Sequence, residues 1–275
     1  MAPAAPSYAL GHSEAELERL IQQSRFFGEL TEELFQRAGI LPGMRVLDIG
    51  CGPGDVSFLA ARVVGPSGSV LGVDRSADAI RLARERAAGA GLTNVTFAEG
   101  SLDELDVGGE FDALVGRLVL LYLADPAATL RRLRRHLKAG ALVVMHEMIM
   151  STAVALPAYP LFENVGWWVL ESFRRSGADT EMGAKLLTTF VDAGLPAPQM
   201  VMRNRIDGGP GAPTYAALAH LIRSLLPAIE RYGVATADEI RIDTLADRLR
   251  EETVRGRGVV IAPALVGAWA VEPGG

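Results

Sequence analysis

Between Arg45 and Arg75 the chain reads RVLDIGCGPGDVSFLAARVVGPSGSVLGVDR. Arg45 to Ile49 is a short apolar run of the kind that makes a buried strand. Gly50, Gly52 and Gly54 follow as a turn free to take backbone conformations that other residues avoid. The spacing then predicts a helix over 54–64, a turn at Gly65-Pro-Ser-Gly68 and a second strand over 69–74 ending at Asp74. This is a β-α-β unit, which receives its ligand at the carboxyl ends of its strands. The turn is Asp48-x-Gly50-x-Gly52-x-Gly54, and Asp55 stands where a dinucleotide fingerprint carries its third glycine. A pyrophosphate needs a positive helix start, whereas Asp48 and Asp55 bring negative charge to the turn and suit a cationic ligand group. Asp74 is placed to accept both hydroxyls of a ribose, and Arg75 to lie against an adenine face or to stand in solvent.

Working outward, the alternation continues. A helix is expected over 76–91, strands over 95–98, 111–116 and 141–147, and a helix over 126–138 that opens at Asp125-Pro126. Strands alternating with helices argue for parallel pairing, right-handed crossovers and an α/β, Rossmann-like, doubly wound sheet. Upstream, Ser13 and Glu16 match a capping box that opens a helical region over 13–38. Its polar residues Tyr8, Arg19, Gln23 and Arg25 either reach a ligand or line a solvated face. After Met150 the segment 151–180 carries Tyr159, Phe162, Trp167, Trp168 and Phe173, an aromatic insertion. A helix over 181–193 and a strand over 199–206 resume the core. Helices near 214–232 and 236–255 precede a last apolar strand from Val259 to Val271 with a bend near Pro263.

At 275 residues, 49% of them apolar, the chain can bury a full core, and a single domain with additions is expected. Its parts are an N-terminal helical cap over 1–40, a cofactor-binding core over 41–150, an aromatic lid insertion with a helix over 151–195, and the C-terminal part of the sheet with a helical insertion over 196–275. Lys and Arg number 27 against 33 Asp and Glu, a net charge of −6 that repels a polyanion, so nucleic acid is not expected as a partner. One cysteine, Cys51, allows no intrachain disulfide, and the spacings of a zinc site are missing. Residues 1–12 lack a secretory pattern, and no run approaches the ~18 apolar residues of a membrane span. A cytoplasmic protein with no membrane partner is expected.

At these motifs the chain resembles the class I S-adenosylmethionine-dependent methyltransferases. VLDIGCGPG matches their first motif, Asp74 their second, Glu99–Leu105 their adenine-side loop and FDALVGRLVLLYLADP their fourth-strand motif. The resemblance is strong over residues 40–147 and closest to the small-molecule subgroup of ubiquinone/menaquinone-type and natural-product methyltransferases. It implies a seven-stranded, mostly parallel sheet with an antiparallel last strand, and S-adenosyl-L-methionine as cofactor. It also implies that Asp48 and the Gly50–Gly54 backbone lie beside the methionine part and Asp74 on the ribose. In the adenine-side loop the family's acidic residue is replaced by Ser101, with the Leu102 backbone N–H and Asp103 as further candidates. Gly116 and Arg117 are expected near the amino acid end of the cofactor, the backbone more than the Arg side chain.

Methyl transfer from a sulfonium is an in-line displacement, so the chain has to align the acceptor and exclude water. A metal-independent reaction is expected. His146 and Glu147 fall at the carboxyl end of the fifth strand and point to opposite faces. His146 is the candidate base and Glu147 the candidate polar pocket contact, against the alternative of local hydrogen bonding. Tyr122, Tyr159, Trp167 and Trp168 are the candidates for an apolar or planar acceptor, while Trp167 and Trp168 can instead pack the insertion or form a homodimer contact. Cys51 fits a small spacer in the turn better than a nucleophile. Non-methylating proteins of the same fold, which bind the cofactor for regulation or cyclisation, are the alternative class, and an NAD-dependent oxidoreductase is a third.

Overall fold

The computed structural model describes residues 27–273. The helix α1, described over residues 27–38, leads to β1 (Arg45–Ile49) and α2 (Asp55–Val64), then β2 (Ser69–Asp74), α3 (Ala77–Gly89), β3 (Val95–Glu99) and β4 (Phe111–Arg117). The chain continues through α4 (Pro126–Leu133) into β5 (Leu137–Ile149). Local chemistry sets these bounds. Gly54 starts α2 at φ 91°, Ser76 caps α3 by accepting the Ala79 N–H at 3.3 Å, and Asp125 caps α4 by accepting the Ala128 N–H at 2.8 Å ahead of Pro126.

Beyond β5 come β6 (Val154–Leu156), α5 (Pro160–Arg175), α6 (Met182–Asp192), β7 (Gln199–Arg203), β8 (Ile206–Gly208) and α7 (Thr214–Arg231). They are followed by α8 (Ala237–Ile240), α9 (Leu245–Arg255), β9 (Val259–Ile261) and β10 (Ala264–Val271). The main sheet has seven strands in the order β3-β2-β1-β4-β5-β10-β7. The pairings from β3 through β5 are parallel, whereas β10 is antiparallel to both β5 and β7. The doubly wound, mostly parallel sheet with an antiparallel last strand is therefore present, and that last strand lies second from the edge.

Two apolar cores flank the sheet. Val46, Val70, Ala113, Val115 and Val144 face α1, α2 and α3, and Leu47, Ile49, Leu114, Val143 and Met145 face α4 and α6. A helical module of α5, α7 and α9, with a small antiparallel sheet β6-β9-β8, leaves the main sheet after β5 and after β7 and returns into the start of β10. Ala264 of β10 pairs with Ile149 of β5, so every crossing into the module is at one rim, the carboxyl end of the parallel strands.

The sequence-based bounds fail where hydrogen bonds across the chain redirect it. The expected strand 199–206 is two strands in different sheets. The expected helix 236–255 breaks at Arg241, whose φ is 48°, because the Arg248 guanidinium takes the carbonyls of Ile240 and Arg241. The run from Val259 to Val271 divides at Pro263, β9 joining the small sheet and β10 the large one. The expected helix 126–138 stops at Leu133, since Leu137 already pairs with Phe111. Among the described residues no helix is long and apolar enough to cross a membrane, and no cluster of His, Cys, Asp or Glu could hold a metal.

Candidate active site

The rim of β1, β2 and β4 gathers the glycine turn, Asp74 and the segment after β4. Gly50, Gly52 and Gly54 have φ of 62°, 51° and 91°, so all three use the left-handed region that favours glycine. Close packing adds to this at Gly50, where a Cβ would come within 2.5 Å of Val119 Cγ2. Cys51 is buried inside the turn, its thiol pKa pushed up by burial, which fits a spacer and not a nucleophile.

Asp74 receives two backbone donors, the Gly52 N–H on Oδ2 and the Ser76 N–H on Oδ1, each at 2.9 Å. Each oxygen keeps a second lone pair, so the held carboxylate can still accept a vicinal diol. Arg75 beside it is exposed. In the loop after β3, the Ser101 hydroxyl accepts the Asp103 N–H at 3.2 Å, and Arg132 bonds both the Leu102 carbonyl (3.2 Å) and Asp103 (2.7 Å). Asp103 is thereby engaged, which leaves Ser101 and the Leu102 backbone as the candidates in this loop.

The acidic flank of the turn is divided. Asp55 pairs with Arg86 at 2.7 Å, and Arg86 also caps the Pro53 carbonyl, so its charge is already matched. Asp48 is buried and accepts the Ser57 hydroxyl at 2.5 Å. Burial pushes its pKa up to about 7, opposed by the Ser57 hydrogen bond and the Arg117 charge. The Arg117 side chain runs under α1 and donates to Thr31 Oγ1 at 3.0 Å. Gly116 is confined by packing, since a Cβ there would meet Val119 at 2.9 Å and Ile49 at 3.0 Å.

His146 and Glu147 do point to opposite faces, but the base expected at His146 is not supported. The ring is 3% exposed, its Nδ1 lies 3.3 Å from Thr31 Oγ1, and burial together with Arg117 depresses its pKa to about 3. It is a neutral internal partner of α1. Glu147 is fully buried and spends Oε1 on the Val119 and Leu120 N–H groups at 3.0 and 2.8 Å. Among the described residues Oε2 has no hydrogen-bond partner, and burial raises the carboxyl to about 8.

Of the aromatic candidates, Tyr122 closes the turn after β4 and lies 6.5 Å from the Phe173 ring of α5, where the core meets the module. Tyr159 is buried and fits against Gly256 and Gly258, and among the described residues its hydroxyl has no partner, a packing environment. Trp168 is buried and Trp167 is 50% exposed. Both line a cleft of about 710 Å³ in the module, whose wall also carries charged side chains, among them Arg241, Arg248, Glu251 and Arg255. Tyr8, Arg19, Gln23 and Arg25 lie outside the described residues. The residues that sequence reasoning missed are Thr31, Ser57, Leu118 and Val119. Leu118, with φ 54°, carries no sequence signal for its left-handed backbone.

The family of the methyltransferase domain matches residues 40–166. Within that stretch, a little under half of the chain, the sequence is similar to methyltransferases. The demethylmenaquinone methyltransferase of Lactococcus lactis is 31% identical over 164 residues, 58% of this chain and 64% of that protein. The arsenite methyltransferase of Aquipseudomonas alcaligenes is 37% identical over 109 residues, 37% of this chain and 32% of that one. The chain thus spans less than two thirds of the length of these curated relatives. In fold, it resembles the crystal structure of a SAM-dependent methyltransferase from Aquifex aeolicus with a TM-score of 0.54 at 16% identity, over 95% of this chain and 100% of that one.

Proposed function

We propose that this protein is an S-adenosylmethionine-dependent methyltransferase that works in the cytoplasm on a small apolar or planar acceptor, methylating an O, N or C atom without a metal. The observation that carries the reading is Asp74, held at the end of β2 by the Gly52 and Ser76 N–H groups with one lone pair left on each oxygen. That arrangement suits a ribose diol beside a left-handed glycine turn. When bound, S-adenosylmethionine supplies an electrophilic methyl group on a sulfonium.

The chain's own residues position and desolvate. Asp74 would hold the ribose, the Gly50–Gly54 backbone the methionine part, and Ser101 with the Leu102 N–H the adenine edge. Asp48 and Arg117 supply opposite charges near the amino acid end. The segment from Leu118 to Tyr122 then separates this space from the helical module, and Tyr122 with Phe173 forms an apolar wall where an acceptor would lie. Quinone and arsenite methyltransferases both appear among the relatives. Trivalent arsenic is thiophilic, and the only cysteine of this chain is buried with its thiol held protonated, which favours a carbon-based acceptor.

Calorimetry tests the cofactor assignment. S-adenosylhomocysteine is expected to bind and NAD not to, and Asp74→Ala is expected to weaken binding by about tenfold or more, since a charge-assisted bond contributes about 1.5–3 kcal/mol. Unchanged affinity in that variant would remove Asp74 from the site. Transfer of a labelled methyl group to a panel of quinone, phenol and amine acceptors separates an enzyme from a protein that only binds the cofactor.

A further inference from the structure

The Glu147 carboxyl is the most deeply buried acid of the rim, on a strand flanked by β4 and β10, and among the described residues it forms no ion pair. Its Oε1 accepts two successive N–H groups, Val119 and Leu120, of the turn that follows β4. The preceding residue of β5 holds the same turn from its backbone, since the Leu118 N–H donates to the His146 carbonyl at 2.9 Å. Between these two anchors Leu118 sits at φ 54°, a conformation a leucine keeps only when its surroundings impose it.

What the anchors place is the Val119 side chain. Its Cγ2 occupies the space where a Cβ on Gly50 would be, at 2.5 Å, and its Cγ1 the space where a Cβ on Gly116 would be, at 2.9 Å. The two glycines therefore leave a single slot, one side of it the glycine turn and the other β4, and Val119 fills it. A contiguous line runs from the Glu147 carboxyl through the Val119 backbone and side chain to Gly50.

We propose that Glu147 is a positioning residue: by holding the Val119 and Leu120 N–H groups it seats Val119 between Gly50 and Gly116 and so fixes the glycine turn in its cofactor-binding shape. The inference rests on the cofactor reading given above. It assigns Glu147 no contact with cofactor or acceptor. Removal of the carboxyl leaves two N–H groups without their acceptor, frees Leu118 to leave the left-handed region and withdraws the side chain that backs Gly50.

Calorimetric titration of the full chain with S-adenosylhomocysteine tests this. The wild-type titration comes first, because absence of binding there would overturn the cofactor reading itself. With wild-type binding in hand, Glu147→Ala is expected to weaken affinity about tenfold, whereas Glu147→Gln, which keeps an acceptor oxygen, is expected to stay within about threefold of wild type. Val119→Ala, with the carboxyl intact, should weaken binding in the same direction. The double variant should be no weaker than Glu147→Ala, because the carboxyl acts through Val119. A folded Glu147→Ala that binds as tightly as wild type overturns the proposal, and so does a double variant whose loss is the product of the two single losses. Should Glu147→Ala not fold, Val119→Ala decides, with unchanged affinity counting against it.

Discussion

Asp48 is ionised only in part at neutral pH, because its carboxyl is buried in β1 and has a pKa of about 7. A cationic ligand group near it would favour the carboxylate, so cofactor affinity is expected to rise as pH increases through about 7, and Asp48→Asn to flatten that rise. Calorimetry at pH 6 to 8.5 checks both. Gly50, Gly54 and Asp74 are legible as candidates because a left-handed glycine turn and a strand end are local properties. Thr31 was illegible because its partner, His146, is 115 positions away. The burial of His146 was illegible for the same reason: its place at a strand end is visible in the sequence, but the helix that covers it is not.

At the scale of elements, Tyr159 shows how an aromatic residue in an insertion becomes structural. It opens α5, and its ring rests where Gly256 and Gly258 have no side chains; a Cβ on Gly258 would fall 2.0 Å from the hydroxyl oxygen. Among the described residues that hydroxyl is buried without a partner. Tyr159→Phe is therefore expected to keep or raise Tm by removing an unsatisfied group whose burial costs about 1 kcal/mol or more, with methyl transfer unchanged. A fall in transfer with Tm intact would return Tyr159 to the acceptor site. Gly258→Ala should lower Tm, since both the Tyr159 ring and the Leu156 carbonyl stand in the way. The strands and helices of the core were readable from their periods, and the small sheet was not. Three-residue strands such as β6 and β8 carry too little pattern to distinguish them from loop, and the split at Pro263 depends on which sheet each half joins.

For the whole molecule, the buried titratable groups set a direction for stability against pH. Asp48 and Glu147 are both raised, to about 7 and about 8. A raised carboxyl contributes stability that is full below its unfolded value and is lost as pH climbs through the folded one. His146, depressed to about 3, contributes in the opposite sense, but its change is over once pH exceeds its unfolded value near 6.5. Glu33, Asp112 and Glu239 are lowered and act only in the acid range. The ligand-free protein is expected to lose Tm between pH 6.5 and 8, and Asp48→Asn combined with Glu147→Gln to level the curve over that window. A scanning calorimetry series on both proteins reads it directly.

The seating of β10 between β5 and β7 has a consequence for how the polypeptide is made. β7 is complete by Arg203, yet among the described residues its sole hydrogen-bonded neighbour in the sheet is formed by residues 264–271. A nascent chain emerging from the ribosome can assemble the five parallel strands early, but some sixty residues later β5 still presents a bare edge and β7 still has no place to dock. Most of the helical module, α7 to α9, is synthesised within that interval, with α5 already made before it. Its α-rich composition, which forms from near neighbours, lets it fold while the sheet waits, and the last strand then closes core and module in one step.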